Sequence, residues 1–159
     1  MKLEHLDVKC YGHVYATIEH KSGKIEEINF KNTILKTGRQ ALAASLANNV
    51  TNPYDFYISR MIFGDGGYTT GQTKYVDTIR NGLFGITRAS KSVIATIDAN
   101  LETQVTFTSV LTYADANGYT INEMALQMNN GNLYSMVTFP DLSKTDNIQI
   151  VWNWRLSFV

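Results

Sequence analysis

The chain has 159 residues, the size of one domain, with 44% hydrophobic and 18% charged residues, and its fourteen basic residues balance fourteen acidic ones. A formal net charge of +0 argues against a nucleic-acid binder, which carries a basic excess, and against a binder of anionic membrane surfaces. One cysteine, Cys10, allows no intramolecular disulfide, no run approaches the length of a membrane span, and no apolar leader opens the chain, so folding in a cytoplasm without secretion is expected.

Residues 8–20 read as a strand, with Val8, Cys10, Gly12, Val14, Ala16 and Ile18 alternating with Lys9, Tyr11, His13, Tyr15 and Thr17. Lys21-Ser22-Gly23-Lys24 is a turn, and residues 25–30 return as a second strand, giving an N-terminal hairpin over 8–30. A helix is predicted over about residues 33–48, capped by Asn32 or Thr33 and rich in alanine. Gly38 costs roughly 1 kcal/mol there, which a close approach to a sheet would explain. Asn48, Asn49 and Pro53 end the helix.

Residues 56–63 form a third predicted strand, and 64–80 a long loop carrying Gly64, Gly66, Gly67 and Gly71. A long strand with a kink near Ala89-Ser90 is expected over 84–97, and another over 101–113 with Val105, Phe107, Ser109 and Leu111 on one face. Asp115–Gly118 and Asn129–Gly131 read as hairpin turns on either side of a strand at 119–128. A strand over 133–139 closes at Pro140-Asp141. The last strand is the clearest: Ile148, Ile150, Trp152, Trp154, Leu156 and Phe158 occupy every second position, so one face is wholly apolar. Each buried indole N–H calls for an acceptor. Four strands from 101 onward joined by short connections suggest an antiparallel meander or part of a Greek key. The expected fold is mainly β: a single antiparallel β-sandwich or flattened barrel over residues 1–159, with one helix.

The loop Gly64-Asp65-Gly66-Gly67-Tyr68 lacks the Lys-Ser or Lys-Thr of a phosphate loop and no helix pattern follows it, so it reads as a sharp strand exit. Asp115-Ala116-Asn117-Gly118 lacks the flanking acids of a calcium loop, with Tyr113 and Met124 where carboxylates belong. His5, His13 and His20 have no evident co-ligands, and no Ser, His and Asp share a triad context. Glu26 and Glu27 read as solvated charge. No catalytic, cofactor or metal site is expected. Tyr11 and Tyr15 face outward if Val14 and Ile18 point in; with Tyr54 and Tyr57 they suit an interface or a glycan platform.

Asn32-Thr33-Ile34-Leu35-Lys36-Thr37-Gly38 leads into a helix, Ile62-Phe63-Gly64-Asp65-Gly66 into a Thr-rich loop, and Asn122-Glu123 into an apolar strand ahead of Phe139-Pro140 and Trp152-Asn153-Trp154. This order resembles small virion structural proteins of tailed bacteriophages, of the head-decoration or cement, tail or fibre-attachment type. The resemblance implies a non-enzymatic homo-oligomer in the virion, made in the host cytoplasm, whose partners are other capsid or tail proteins. Contact residues are then expected at Tyr11, Tyr15, Tyr54, Tyr57, Gly64, Asp65, Gly66, Gly67 and Tyr68, and attachment through the N-terminal hairpin. The alternative is a carbohydrate-binding module that contacts a host glycan through Tyr11, Tyr15, Tyr54 and Tyr57.

Overall fold

A computed structural model describes residues 8–47 and 53–159. The strands, in chain order, are β1 (Cys10–His20), β2 (Ile25–Lys31), β3 (Thr33–Ile34), β4 (Ile58–Gly64), β5 (Tyr68–Thr69), β6 (Gln72–Thr73), β7 (Thr87–Ser92), β8 (Ile94–Ile97), β9 (Gln104–Leu111), β10 (Tyr119–Met128), β11 (Leu133–Lys144) and β12 (Ile148–Phe158). They form two open five-stranded sheets, β2-β1-β12-β9-β8 and β3-β11-β10-β4-β7, and a small β5-β6 ribbon. All the pairings are antiparallel. The sheets face each other across one core, which makes a sandwich rather than a closed barrel.

The alternation in β12 sets the core. Ile148, Ile150, Trp152, Trp154 and Leu156 are buried, with both tryptophans at 0% exposure. Trp152 packs against Phe63 and Phe139 of the opposite sheet, with ring centroids 5.4 and 5.7 Å apart. Neither indole N–H meets a protein acceptor among the described residues, contrary to the expectation from sequence. β1 pairs with β12 along all eleven positions, from Cys10↔Phe158 to His20↔Ile148. Lys9 and Val159 extend that ladder by two backbone hydrogen bonds. Val14, Ala16 and Ile18 belong to the core. The N-terminal hairpin is therefore woven into its sheet, and deleting it would strip the partner from β12.

Several boundaries differ from the sequence reading. The helix α1 runs Lys36–Leu46, because Thr33 and Ile34 pair with Met136 and Ser135 as β3. Its N-cap is Leu35, with no side-chain cap, so neither Asn32 nor Thr33 serves. Its far end falls at Ala47, and Asn48 and Asn49 lie outside the described residues. Gly38 and Ala41 are its buried face. A Cβ on Gly38 would stand 2.5 Å from the Tyr134 carbonyl oxygen, so the glycine lets the helix lie directly on β11. Thr37 Oγ1 also donates to the Leu133 carbonyl.

The expected long strand over 84–97 is two strands, broken at Val93 rather than at Ala89-Ser90. β7 pairs with β4 in one sheet and β8 with β9 in the other, so the chain changes sheets there. The four last strands do not form a meander. β10 and β11 pair in one sheet, while β12 returns beside β9 in the other, as in a Greek key folded across the sandwich. Thr112–Gly118 is thus a crossover between sheets, and of the two turns expected around β10 only Asn129–Gly131 closes a hairpin. β11 continues past Pro140 to Lys144 because the register shifts between Ile121/Glu123. Phe139, Pro140 and Asp141 bulge opposite Asn122, where a proline costs no ladder bond.

Candidate functional site

The glycine-rich loop is held by two neighbouring side chains of β10. Glu123 is fully buried, and its carboxylate accepts hydrogen bonds from the backbone N–H of Gly66 (2.9 Å), Phe84 (2.7 Å) and Gly85 (2.8 Å). Asn122 accepts from the Gly67 N–H at 2.7 Å, and donates to the Asp65 carbonyl and to Asp141. Asp65 accepts from the Ile86 N–H (3.0 Å) and pairs with Arg88 (2.5 Å). Burial pushes the Asp65 carboxyl up, but the Arg88 hydrogen bond, the Ile86 N–H and the Arg88 charge outweigh it and hold it below the usual range. Two buried carboxamide and carboxylate heads thus satisfy donors of two crossing loops, a stapling role with no open position for a ligand. Gly64 and Gly67 are buried, whereas Asp65, Gly66 and Tyr68 are half-buried. A Cβ on Gly66 would stand 2.2 Å from the Gly85 nitrogen, so this glycine is required by close backbone approach. The pair Asn122-Glu123 inside an apolar strand was the sequence signal for this staple.

Tyr11 and Tyr15 stand on the outer face of the β2-β1-β12-β9-β8 sheet, 55% and 40% exposed. His13 lies between them, stacked on Tyr15 at 4.4 Å and hydrogen-bonded to Asn29 at 3.2 Å. The Arg155 guanidinium sits over the Tyr15 ring at 5.2 Å. Beside them opens a cleft of about 720 Å³, lined among others by Tyr11, His13, Tyr15, Lys31, Gln104 and Arg155.

Tyr57 is on another side of the molecule. It is 52% exposed and its hydroxyl reaches Asn129. The Tyr54 side chain lies outside the described part. Tyr57 borders an apolar groove of about 370 Å³ at the edge of the sandwich, with Leu42, Phe56, Ile97, Phe107 and Phe158. Along this edge runs β8, whose four residues are all exposed, with Ile94 at 72% and Ile97 at 66%. β8 pairs with β9 on one side, and no strand covers its other side among the described residues. The expected contact residues are therefore dispersed over at least three surfaces rather than gathered in one.

The Asp115–Gly118 turn is internally tied. Asp115 pairs with Lys91 (2.9 Å) and accepts from the Thr112 N–H and hydroxyl. Its carboxyl is raised by burial, but Lys91 and Thr112 bring it below the ordinary value. Lys144, 1% exposed, donates to Asn117 and to the Thr145 carbonyl, and burial lowers its pKa. Among the described residues no three His, Cys, Asp or Glu side chains converge as a metal cage. No described helix is long and apolar enough to cross a membrane.

The family described as phage tail-collar fibre protein, N-terminal, matches residues 27–152, well over half of the chain. The chain belongs to that family. The tail-collar fibre match begins in β2, spans the Asn122–Glu123 staple and the loop that it holds, and ends at Trp152 in β12. It supports a tail or fibre structural protein of a phage, a component of the virion, and not the head-decoration or cement type specifically. Membership implies association with other tail proteins. No curated protein and no solved structure matches the chain.

Proposed function

We propose that this tail-collar fibre domain is a non-enzymatic assembly module that must first pair with its own copy, by strand addition at β8, to join the phage tail. The observation that carries the reading is the edge itself: four residues, Ile-Ala-Thr-Ile, exposed next to an apolar groove, with no proline or lysine in the strand and no covering loop among the described residues to block pairing. An added strand would satisfy the free backbone groups of β8 and lay its side chains over Ile97 and into the groove. The occupant proposed is a second copy of this chain, since antiparallel pairing of β8 with itself would fuse two like sheets about a twofold axis. The tail partner then engages the assembled unit, with the N-terminal hairpin as its attachment element.

Light scattering across a concentration series tests this reading. Wild type should associate into a discrete species, and Ile94→Lys/Ile97→Lys, which places charge on the edge, should run as a folded monomer. A wild type that stays monomeric throughout, or a double variant that associates equally, overturns self-pairing through β8.

A second reading, contact with a host glycan, is favoured by one observation: the outward tyrosines border a cleft rather than a flat, featureless face. It concerns the outer face of the β2-β1-β12-β9-β8 sheet rather than its free β8 edge and is compatible with assembly through β8.

A further inference from the structure

The cleft beside Tyr11 and Tyr15 is unusual in its charge. Lys31, His13 and Arg155 all line it, and no Asp or Glu does. Neither Lys31 nor Arg155 forms an ion pair among the described residues. The carboxylates of this face, Glu27 and Glu19, stand farther along the strands, opposite Thr17 and Gln149, and Glu19 accepts a hydrogen bond from Gln149. In a chain with net charge +0, Lys31 and Arg155, with no counter-charge in the cleft among the described residues, form a local positive field that an anion would neutralise. Arg155 is held over the Tyr15 ring, which orders its guanidinium fork for a planar, two-oxygen partner. A carboxylate fits that fork.

The rest of the lining suits a sugar. The half-exposed Tyr11 ring offers an apolar face with a polar tip, whereas His13 and Arg155 lie on the Tyr15 ring. Gln104 donates to Ser157 through its amide nitrogen. The Gln104 carbonyl remains as an acceptor for a hydroxyl. The cleft, about 720 Å³, is in the size range of small-ligand sites.

We infer that this cleft binds a carboxylated saccharide. Its ring lies against Tyr11, its carboxylate pairs with Arg155 and Lys31, and a hydroxyl meets Gln104. The inference rests on the glycan reading above and narrows it to acidic sugars. It concerns the outer face of the sheet and is read by ligand binding rather than by oligomeric state, so it stands or falls apart from assembly through the β8 edge.

Calorimetric titration of the intact protein with trigalacturonic acid and sialyllactose, against neutral maltotriose and lactose, tests it. An acidic probe should bind at least about tenfold tighter than its neutral counterpart, as expected for a charge-assisted pair at a solvent-accessible site. Arg155→Gln and Lys31→Gln should each remove most of that preference while leaving the thermal unfolding curve in place, and Tyr11→Ala should weaken acidic and neutral probes alike. Equal binding of acidic and neutral probes leaves the glycan reading standing and overturns the carboxylate. No heat with any saccharide at about 10 mM overturns both. Tetraglutamate binding as tightly as the acidic sugars overturns the saccharide assignment, because the cleft would then read charge alone.

Discussion

Glu123 shows how one side chain can hold two loops. Three backbone N–H groups converge on its carboxylate, and water does not reach it. Glu123→Ala leaves those donors without their acceptor and opens a void, with an expected loss of about 2–4 kcal/mol in denaturant unfolding. Glu123→Gln keeps the shape but replaces one acceptor oxygen with a donor, so the loss should be smaller than for alanine. A Glu123→Ala protein within 0.5 kcal/mol of wild type, roughly the scatter of surface substitutions, would refute the staple. Asp65 and Asp115 extend the same logic to pH. Both carboxyls are held below their ordinary value in the fold. Their stabilisation is therefore fully present above the unfolded carboxylate pKa of about 4 and is lost as pH falls through the lower folded values. Unfolding free energy measured from pH 6 downward should fall in that acidic window, and Asp65→Asn should flatten part of the fall. A profile identical for wild type and Asp65→Asn would show that the Arg88 pair contributes nothing.

At the scale of elements, Gly38 sets two effects against each other. Alanine in its place gains about 1 kcal/mol of helix propensity. The added Cβ, however, would stand 2.5 Å from the Tyr134 carbonyl oxygen, which is backbone and cannot swing away. Overpacking of that kind costs about 1–3 kcal/mol, so Gly38→Ala should be net destabilising. A raised melting temperature in Gly38→Ala would mean that the helix shifts off β11 freely. The close approach at Gly38 was legible in the sequence as a glycine that a helix would otherwise avoid. So was the apolar face of β12, where period-2 alternation over eleven residues leaves one solution. The sheet assignment of β7 and β8 was not. Their run of Thr, Ser, Ala and Ile carries strand propensity throughout, and only pairing with different partners breaks it at Val93. Pro140 misled for a similar reason: it reads as a terminator until a bulge opposite Asn122 gives it a place without a ladder bond.

The whole molecule is a sandwich whose two tryptophans lie at its centre. Trp154→Ala should cost about 3–5 kcal/mol by cavity formation and lost burial, measurable in the same denaturant series. The candidate surfaces were only partly legible, because exposure follows from which strands stand at the edges, and that is decided by long-range pairing. The sequence placed Tyr11 and Tyr15 outward through alternation alone, yet it passed over Ile94 and Ile97, which look like core residues until β8 is found at an edge. It also assigned contact roles to Gly64 and Gly67, which the fold buries under the Asn122–Glu123 staple.

The central claim, that the tail-collar fibre domain joins its assembly through β8, is tested most directly by incorporation into particles. Phage lacking this chain would be complemented with wild type or with Ile94→Lys/Ile97→Lys, both shown to be folded by circular dichroism, and the purified tails probed for the protein. The account predicts that wild type is present on tails and the double variant is absent. A double variant found on tails at wild-type abundance would contradict it.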